Sequence, residues 1–353
     1  MKLLILSRHG LRYPFFTKER SIKYFNKDIV NWNIDNLGSA FLTDKGALFE
    51  LKMAQKIREF FNITDDIDVK VMANSTQRTF QTAQLLSIGL FPAKKIDIQC
   101  QDYSFKNENE WYDINTDDIN LVDYDLLWKY EAKSKKIYQK IIDLFDLKNC
   151  LFTNEETNIT LNENKDGVFW RGKFFMACSL SDLLVVKYYF NEPYDSIFKS
   201  NNFIRDLRLI GKAKDYVIDF AFCDKNVINS NKKNIYKLIK KEFNNGKDLT
   251  LIVGHDTNIA TTLAMLNVKM PDLKQLEKYP IGSKLIFAIN DDDSFDLYIA
   301  FFDFKDIRNF NLSTPLFPDS CLLTGIPLPL SSTITEESFF KVTIILFANP
   351  LNA

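Results

Sequence analysis

Histidine is scarce in this chain: His9 and His255 are the two copies among 353 residues. Cysteine is sparse as well. Cys100, Cys150, Cys178, Cys223 and Cys321 are odd in number, widely spaced and free of any C-x-x-C pair. That pattern argues against a zinc site and for reduced, structural thiols. Neither sign of charge dominates, since 45 Lys and Arg face 46 Asp and Glu for a formal charge of -1. Such a balance offers no general field for nucleic acid or an anionic membrane, so any positive potential must be local. The opening apolar stretch, residues 3–6, is far too short to span a bilayer. It meets Arg8-His9 too soon for a secretory signal, and no small-residue cleavage site follows. A cytoplasmic protein is the simpler expectation; a periplasmic or secreted one, restarted with Met after loss of its signal, reads the same.

What remains is an ordinary globular composition, 46% hydrophobic and 26% charged, without repeats or low-complexity linkers. Three short apolar runs, at 3–6, 69–72 and 249–253, read as buried parallel strands. A helix signal follows each. Thr43 is a candidate N-cap for an amphipathic stretch reaching about Phe61, Ser75 for a helix through Gln77, Phe80 and Leu86, and Gly254-His255-Asp256-Thr257 leads into 258–266. Strand, polar turn and helix in repetition predict an α/β fold: a mostly parallel central sheet flanked by helices. Between them the character changes, because 124–147 and 180–189 carry helical spacing without strand partners. We therefore expect a core from residues 1–108 and 220–353, with a helical cap at 109–219 inserted into it. The tail at 342–347 reads as a strand or buried segment.

Both histidines stand just past the C-terminal end of an expected strand, the edge where open α/β sheets bind ligands. A lone loop histidine is ordinarily just solvated. Two of two at equivalent strand ends make coincidence the weaker account. Arg8 and Arg12 flank His9, and Arg78 opens the helix after the second strand. Three guanidiniums converging on one edge are costly unless an anion neutralises them, and their planar forks suit phosphate oxygens. Asp256, beside His255 at a helix start, is placed to protonate a leaving oxygen and then activate water. The aromatic loop around Pro14, with Phe15 and Phe16 as substrate-binding candidates and Tyr13, Tyr24 and Phe25 nearby, is expected to line the entrance.

Ser7-Arg8-His9-Gly10-Leu11-Arg12-Tyr13-Pro14 resembles the R-H-G-x-R-x-P signature of the histidine acid phosphatases, and Gly254-His255-Asp256-Thr257-Asn258 resembles their H-D signature. Residues 73–79, Leu42-Thr43 with Gly46, Ser179-Leu180 with Asp182, and Pro280-Ile281-Gly282 follow in family order. The segments around Arg78 and Pro280 look most like bacterial glucose-1-phosphatases, with phytases next. The resemblance implies a metal-independent, cofactor-free phosphomonoester hydrolase acting on a sugar phosphate or similarly small phosphorylated substrate. His9 would form a phosphohistidine, Arg8, Arg12, Arg78 and His255 would hold the phosphoryl oxygens, and Asp256 would be the general acid and base. Alternatives are a phosphotransferase or mutase using the same phosphohistidine, and a phytase. Phe15 after Pro14 and Phe190 after Tyr189 are departures from those relatives.

Overall fold

The computed structural model describes residues 2–31, 40–163, 167–244, 247–291 and 294–312, and the backbone of strands at 322–325 and 343–345. Cys321 and the remainder of the 342–347 segment lie outside the described residues.

The strands are β1 (Lys2–Arg8), β2 (Val69–Ala73), β3 (Ile98–Cys100), β4 (Asn158–Leu161), β5 (Val168–Arg171), β6 (Leu249–Gly254), β7 (Lys284–Ile289), β8 (Phe295–Ala300), β9 (Leu322–Gly325) and β10 (Thr343–Ile345). The longer helices are α1 (Lys18–Phe25), α2 (Asp44–Phe60), α3 (Gln77–Leu90), α4 (Tyr124–Phe145), α6 (Lys173–Tyr189), α8 (Phe203–Ala221), α10 (Ile235–Asn244) and α11 (Asp256–Met265). Shorter turns of helix are α5 (Leu151–Asn154), α7 (Tyr194–Ile197), α9 (Lys225–Ser230) and α12 (Phe304–Asn309).

Eight strands form one sheet in the order β10-β9-β8-β7-β1-β6-β2-β3. The three expected strands, β1, β6 and β2, lie side by side and parallel at its centre. They are largely apolar because both faces of the sheet are covered: Ile5, Leu251 and Val71 belong to one large apolar cluster, Leu4, Leu6 and Ile252 to another. Beyond β1 the sheet continues antiparallel through β7 and β8. The first cluster runs without a break from β1 and α2 to α6 and α8, so the helices after residue 109 share the core of the sheet. The hairpin β4–β5 stands apart as a two-stranded sheet.

Two capping details position the site. Thr43 caps α2 as expected, accepting from Gly46 N at 2.9 Å, and its hydroxyl also donates to Leu11 O at 2.9 Å. That second bond ties the helix to the loop after β1. Gly46 is required there, since a Cβ would lie 2.3 Å from Leu11 O. The expectation for Ser75 is corrected: Thr76, extended at φ -130°, is the N-cap of α3, and Ser75 Oγ instead accepts from Asp102 N at 3.0 Å. The hydroxyl satisfies the chain leaving β3 rather than the helix end.

Candidate active site

In the β1–β6 ladder Arg8 is the register partner of Gly254. The next residue on each strand is a histidine, so the equal offset brings His9 and His255 out side by side at neighbouring strand ends. Their ring centroids are 5.5 Å apart, edge to face. Backbone bonds pin the junction: His9 N donates to Gly254 O at 3.0 Å, Gly282 N to His9 O at 3.1 Å, and Asn74 N to Val253 O at 3.0 Å.

The imidazoles are oriented through one nitrogen each. His9 Nδ1 lies 2.8 Å from Gly10 O, a partner that can only accept, so Nδ1 carries the proton and Nε2 is left with its lone pair. His255 Nε2 lies 2.8 Å from Asn74 Nδ2. Asn74 cannot turn its oxygen there, because Oδ1 already accepts from Ser75 N at 2.8 Å and Asn109 N at 2.9 Å. His255 Nε2 therefore accepts, and Nδ1 holds the proton. Burial, then Arg78, lowers both imidazoles well below their ordinary value; for His9, His255 comes next. Both stay neutral into acid.

The arginines arrive from β1, the loop after it and the first turn of α3. Arg8 is 1% exposed; its guanidinium reaches Asp256 at 3.2 Å, Glu277 at 2.9 Å and Tyr279 O. Arg12 grips both oxygens of Asp182, at 3.0 and 2.9 Å. Arg78 has no carboxylate within ion-pair distance among the described residues. Burial, then its neighbour Arg12, lowers Arg78 to about 10, so it remains charged. In all three guanidiniums Nε is buried without a hydrogen-bond partner. Unpaired buried donors are costly and rare, and three in one place describe a cradle for an acceptor.

Sequence patterns did not point to Lys214, which enters from α8. Its ammonium bonds Asp256 at 2.8 Å, Asp182 at 3.0 Å and Glu277 at 3.0 Å. Arg8, Arg12, Arg78 and Lys214 thus face Asp182, Asp256 and Glu277, and the remaining counter-charge near Arg78 is Glu108, more than half exposed and accepting from Asn74. Burial alone would raise the Asp256 carboxyl; Arg8 and then Lys214 outweigh it and hold the group well below the usual range. Glu277 was likewise missed, although it lies within five residues of Pro280, and Asn74, inside the 73–79 segment, carried no assigned role.

The two aromatic candidates divide. Phe15 is 43% exposed, with Arg12 4.0 Å and Arg78 4.9 Å from its ring centre, a cation–π roof over both. Phe16 is 3% exposed and packs on Tyr24 and Phe25, so it is chiefly core with one edge on the pocket wall. Among the described residues no group of three or more His, Cys, Asp or Glu is placed to hold a metal ion. None of their helices is long and apolar enough to cross a membrane.

No family model matches the chain. It is 26% identical to a glucose-1-phosphatase of Salmonella typhimurium over 97% of its own length and 91% of that protein. It is 25% identical to a glucose-1-phosphatase of Providencia rettgeri, covering 81% of this chain and 75% of that one. Among solved structures the fold resembles the phytase of Citrobacter braakii, with a TM-score of 0.74 and 16% identity over 88% of this chain and 87% of that one. The apo phytase of Hafnia alvei aligns with a TM-score of 0.73 at 17% identity, over 89% and 87%.

Proposed function

We propose that the chain is a histidine acid phosphatase and hydrolyses small phosphomonoesters through a phosphohistidine on His9. The observation that carries the mechanism is the convergence of two neutral imidazoles on three arginines whose buried Nε donors lack partners. The phosphoryl group enters that cradle. Arg8, Arg12, Arg78 and the Nδ1–H of His255 bond its non-bridging oxygens, and the charge on Arg78 meets its charge. His9 Nε2 attacks phosphorus, and the Gly10 carbonyl holds the proton on Nδ1 so that the attacking nitrogen is the basic one. The same cations that bind substrate keep His9 unprotonated in acid, which supports turnover at mildly acidic pH.

Asp256 donates the proton to the departing alkoxide and afterwards takes one from the hydrolytic water. In the free protein Arg8 and Lys214 hold it ionised. A bound phosphoryl anion competes for Arg8 and adds a like charge, and both raise the affinity of the carboxyl for its proton. The relatives named for glucose 1-phosphate put sugar phosphates among the candidate substrates. Residues 109–219 are proposed as the cap over this edge. The four described cysteines are free, which supports a cytoplasmic location.

Rapid-quench labelling tests the mechanism. Wild type is expected to yield an acid-labile, base-stable phosphoenzyme, and His9→Ala to lose both the label and several orders of magnitude in kcat. A variant that kept either would remove His9 from the nucleophile's role.

A further inference from the structure

Asp256 lines a pocket of about 350 Å³, bounded by the loop after β1, the β4–β5 hairpin, α6 and α8. If Asp256 protonates the leaving oxygen, as proposed above, this pocket receives the leaving alcohol. Its walls are largely apolar. Phe15, Trp170, Phe175 and Phe222 face it, with Val217 and Ile218 behind. Trp170 stacks on Phe175 at 5.1 Å and meets Phe222 edge-on at 5.8 Å, so the aromatic wall is braced.

The polar groups of the same pocket are largely spent. All three donors of Lys214 go to carboxylates, at 2.8, 3.0 and 3.0 Å. Both oxygens of Asp182 are held by Arg12, and one of them also by Lys214. Ser179 donates its hydroxyl to Phe175 O at 3.1 Å. Among the described residues, Thr257 and the exposed Arg20 are the lining side chains with donors left for a leaving group; the unpartnered Nε of Arg12 belongs to the phosphoryl cradle, and Ser179 and Asp182 keep acceptor lone pairs alone. A sugar brings several hydroxyls, and each one desolvated without a partner costs binding energy. An aromatic ring brings none and gains from stacking and burial.

We propose that this pocket selects phosphomonoesters of aromatic alcohols over those of polyhydroxylated ones. The proposal rests on the phosphatase reading of the site and narrows its substrate class. The test compares kcat/KM for benzyl phosphate and glucose 1-phosphate in the intact protein. Benzyl alcohol is no better a leaving group than the anomeric hydroxyl, so leaving-group reactivity cannot produce a preference for it. Benzyl phosphate is expected to win by at least about tenfold, a typical gain from well-matched apolar contact. Trp170→Ala should lower that value about tenfold, mainly through KM, while glucose 1-phosphate and competitive inhibition by inorganic phosphate change less than about twofold.

Active enzyme that turns over glucose 1-phosphate as well or better overturns the proposal and leaves the phosphatase reading standing. So does a Trp170→Ala loss shared equally by both esters with phosphate inhibition intact. A wild type inert to every phosphomonoester takes both readings down together. The wild-type ratio decides the matter even if the variant does not fold.

Discussion

In the proposed mechanism, the contact between Lys214 and Asp256 sets the working pH. The ammonium lies 2.8 Å from the carboxylate, close enough for an opposite charge to depress a carboxyl pKa by about 1–3 units. Lys214→Met removes that cation, so the Asp256 pKa rises and its protonated, proton-donating form survives to higher pH. The descending alkaline limb of the kcat–pH profile should therefore move up by about one pH unit or more. A limb that stays put, in a variant with normal phosphate inhibition, would mean that Lys214 does not govern the acid. Its neighbour His9 has the opposite dependence. Its lowered pKa keeps the proposed nucleophile neutral, so activity should fall on the acid side well below the ordinary imidazole range.

Behind the motif loop, α2 and β7 share a buried ion pair. Lys284 and Glu50 meet at 2.7 Å with side chains 0% and 2% exposed, and Lys284 also donates to Arg8 O and Gly282 O. The ammonium is thus a strut beneath the strand end that presents His9. Burial opposes both charges: it raises Glu50 and lowers Lys284, against their mutual attraction. Removing one partner strands the other, so Glu50→Ala or Lys284→Met alone should cost about 3–5 kcal/mol by urea denaturation. The double substitution to Leu and Met should recover much of that stability yet leave kcat reduced, since the carbonyls of Arg8 and Gly282 lose their donor. Full recovery of kcat would mean that the pair supports the fold alone.

At the level of the whole molecule, an unbound cradle of like charges is a stability liability. The buried neutral imidazoles of His9 and His255 have folded pKa values below their unfolded one. The unfolded chain binds more protons below about pH 6.5, so stability declines as pH falls from there. The paired carboxylates of Asp182 and Asp256, also depressed in the fold, extend the decline below about pH 4. A tetrahedral anion relieves the cationic crowding. Inorganic phosphate at one hundred times its Kd should add about 2.7 kcal/mol to unfolding, read as a rise in Tm. Arg78→Ala, which deletes the unpaired cation, should abolish most of that gain while leaving the ligand-free Tm equal or higher. An undiminished gain in the variant would place the anion elsewhere.

Much of the fold and of the site was legible in the residues. The apolar runs became adjacent parallel strands because a strand buried on both faces needs apolar side chains at every position. His9 and His255 could be paired from sequence because each follows such a strand at once, and a parallel register carries equal offsets to equal heights. Ser75 was misassigned because its hydroxyl answers to the chain leaving β3, a neighbour that no local pattern announces. Lys214, Glu277 and the role of Asn74 were out of reach for the same reason. They come from α8, the segment before β7 and the end of β2, and their roles arise from ion pairs and hydrogen bonds across more than thirty residues of chain. The sequence by itself determined the sheet edge and the meeting of two imidazoles there, since these depend on residue type and strand periodicity. Only tertiary structure decided which tautomers the imidazoles hold, how the carboxylates are charged and which side chains wall the pocket beside them, because each depends on distances between segments that the chain brings together only when folded.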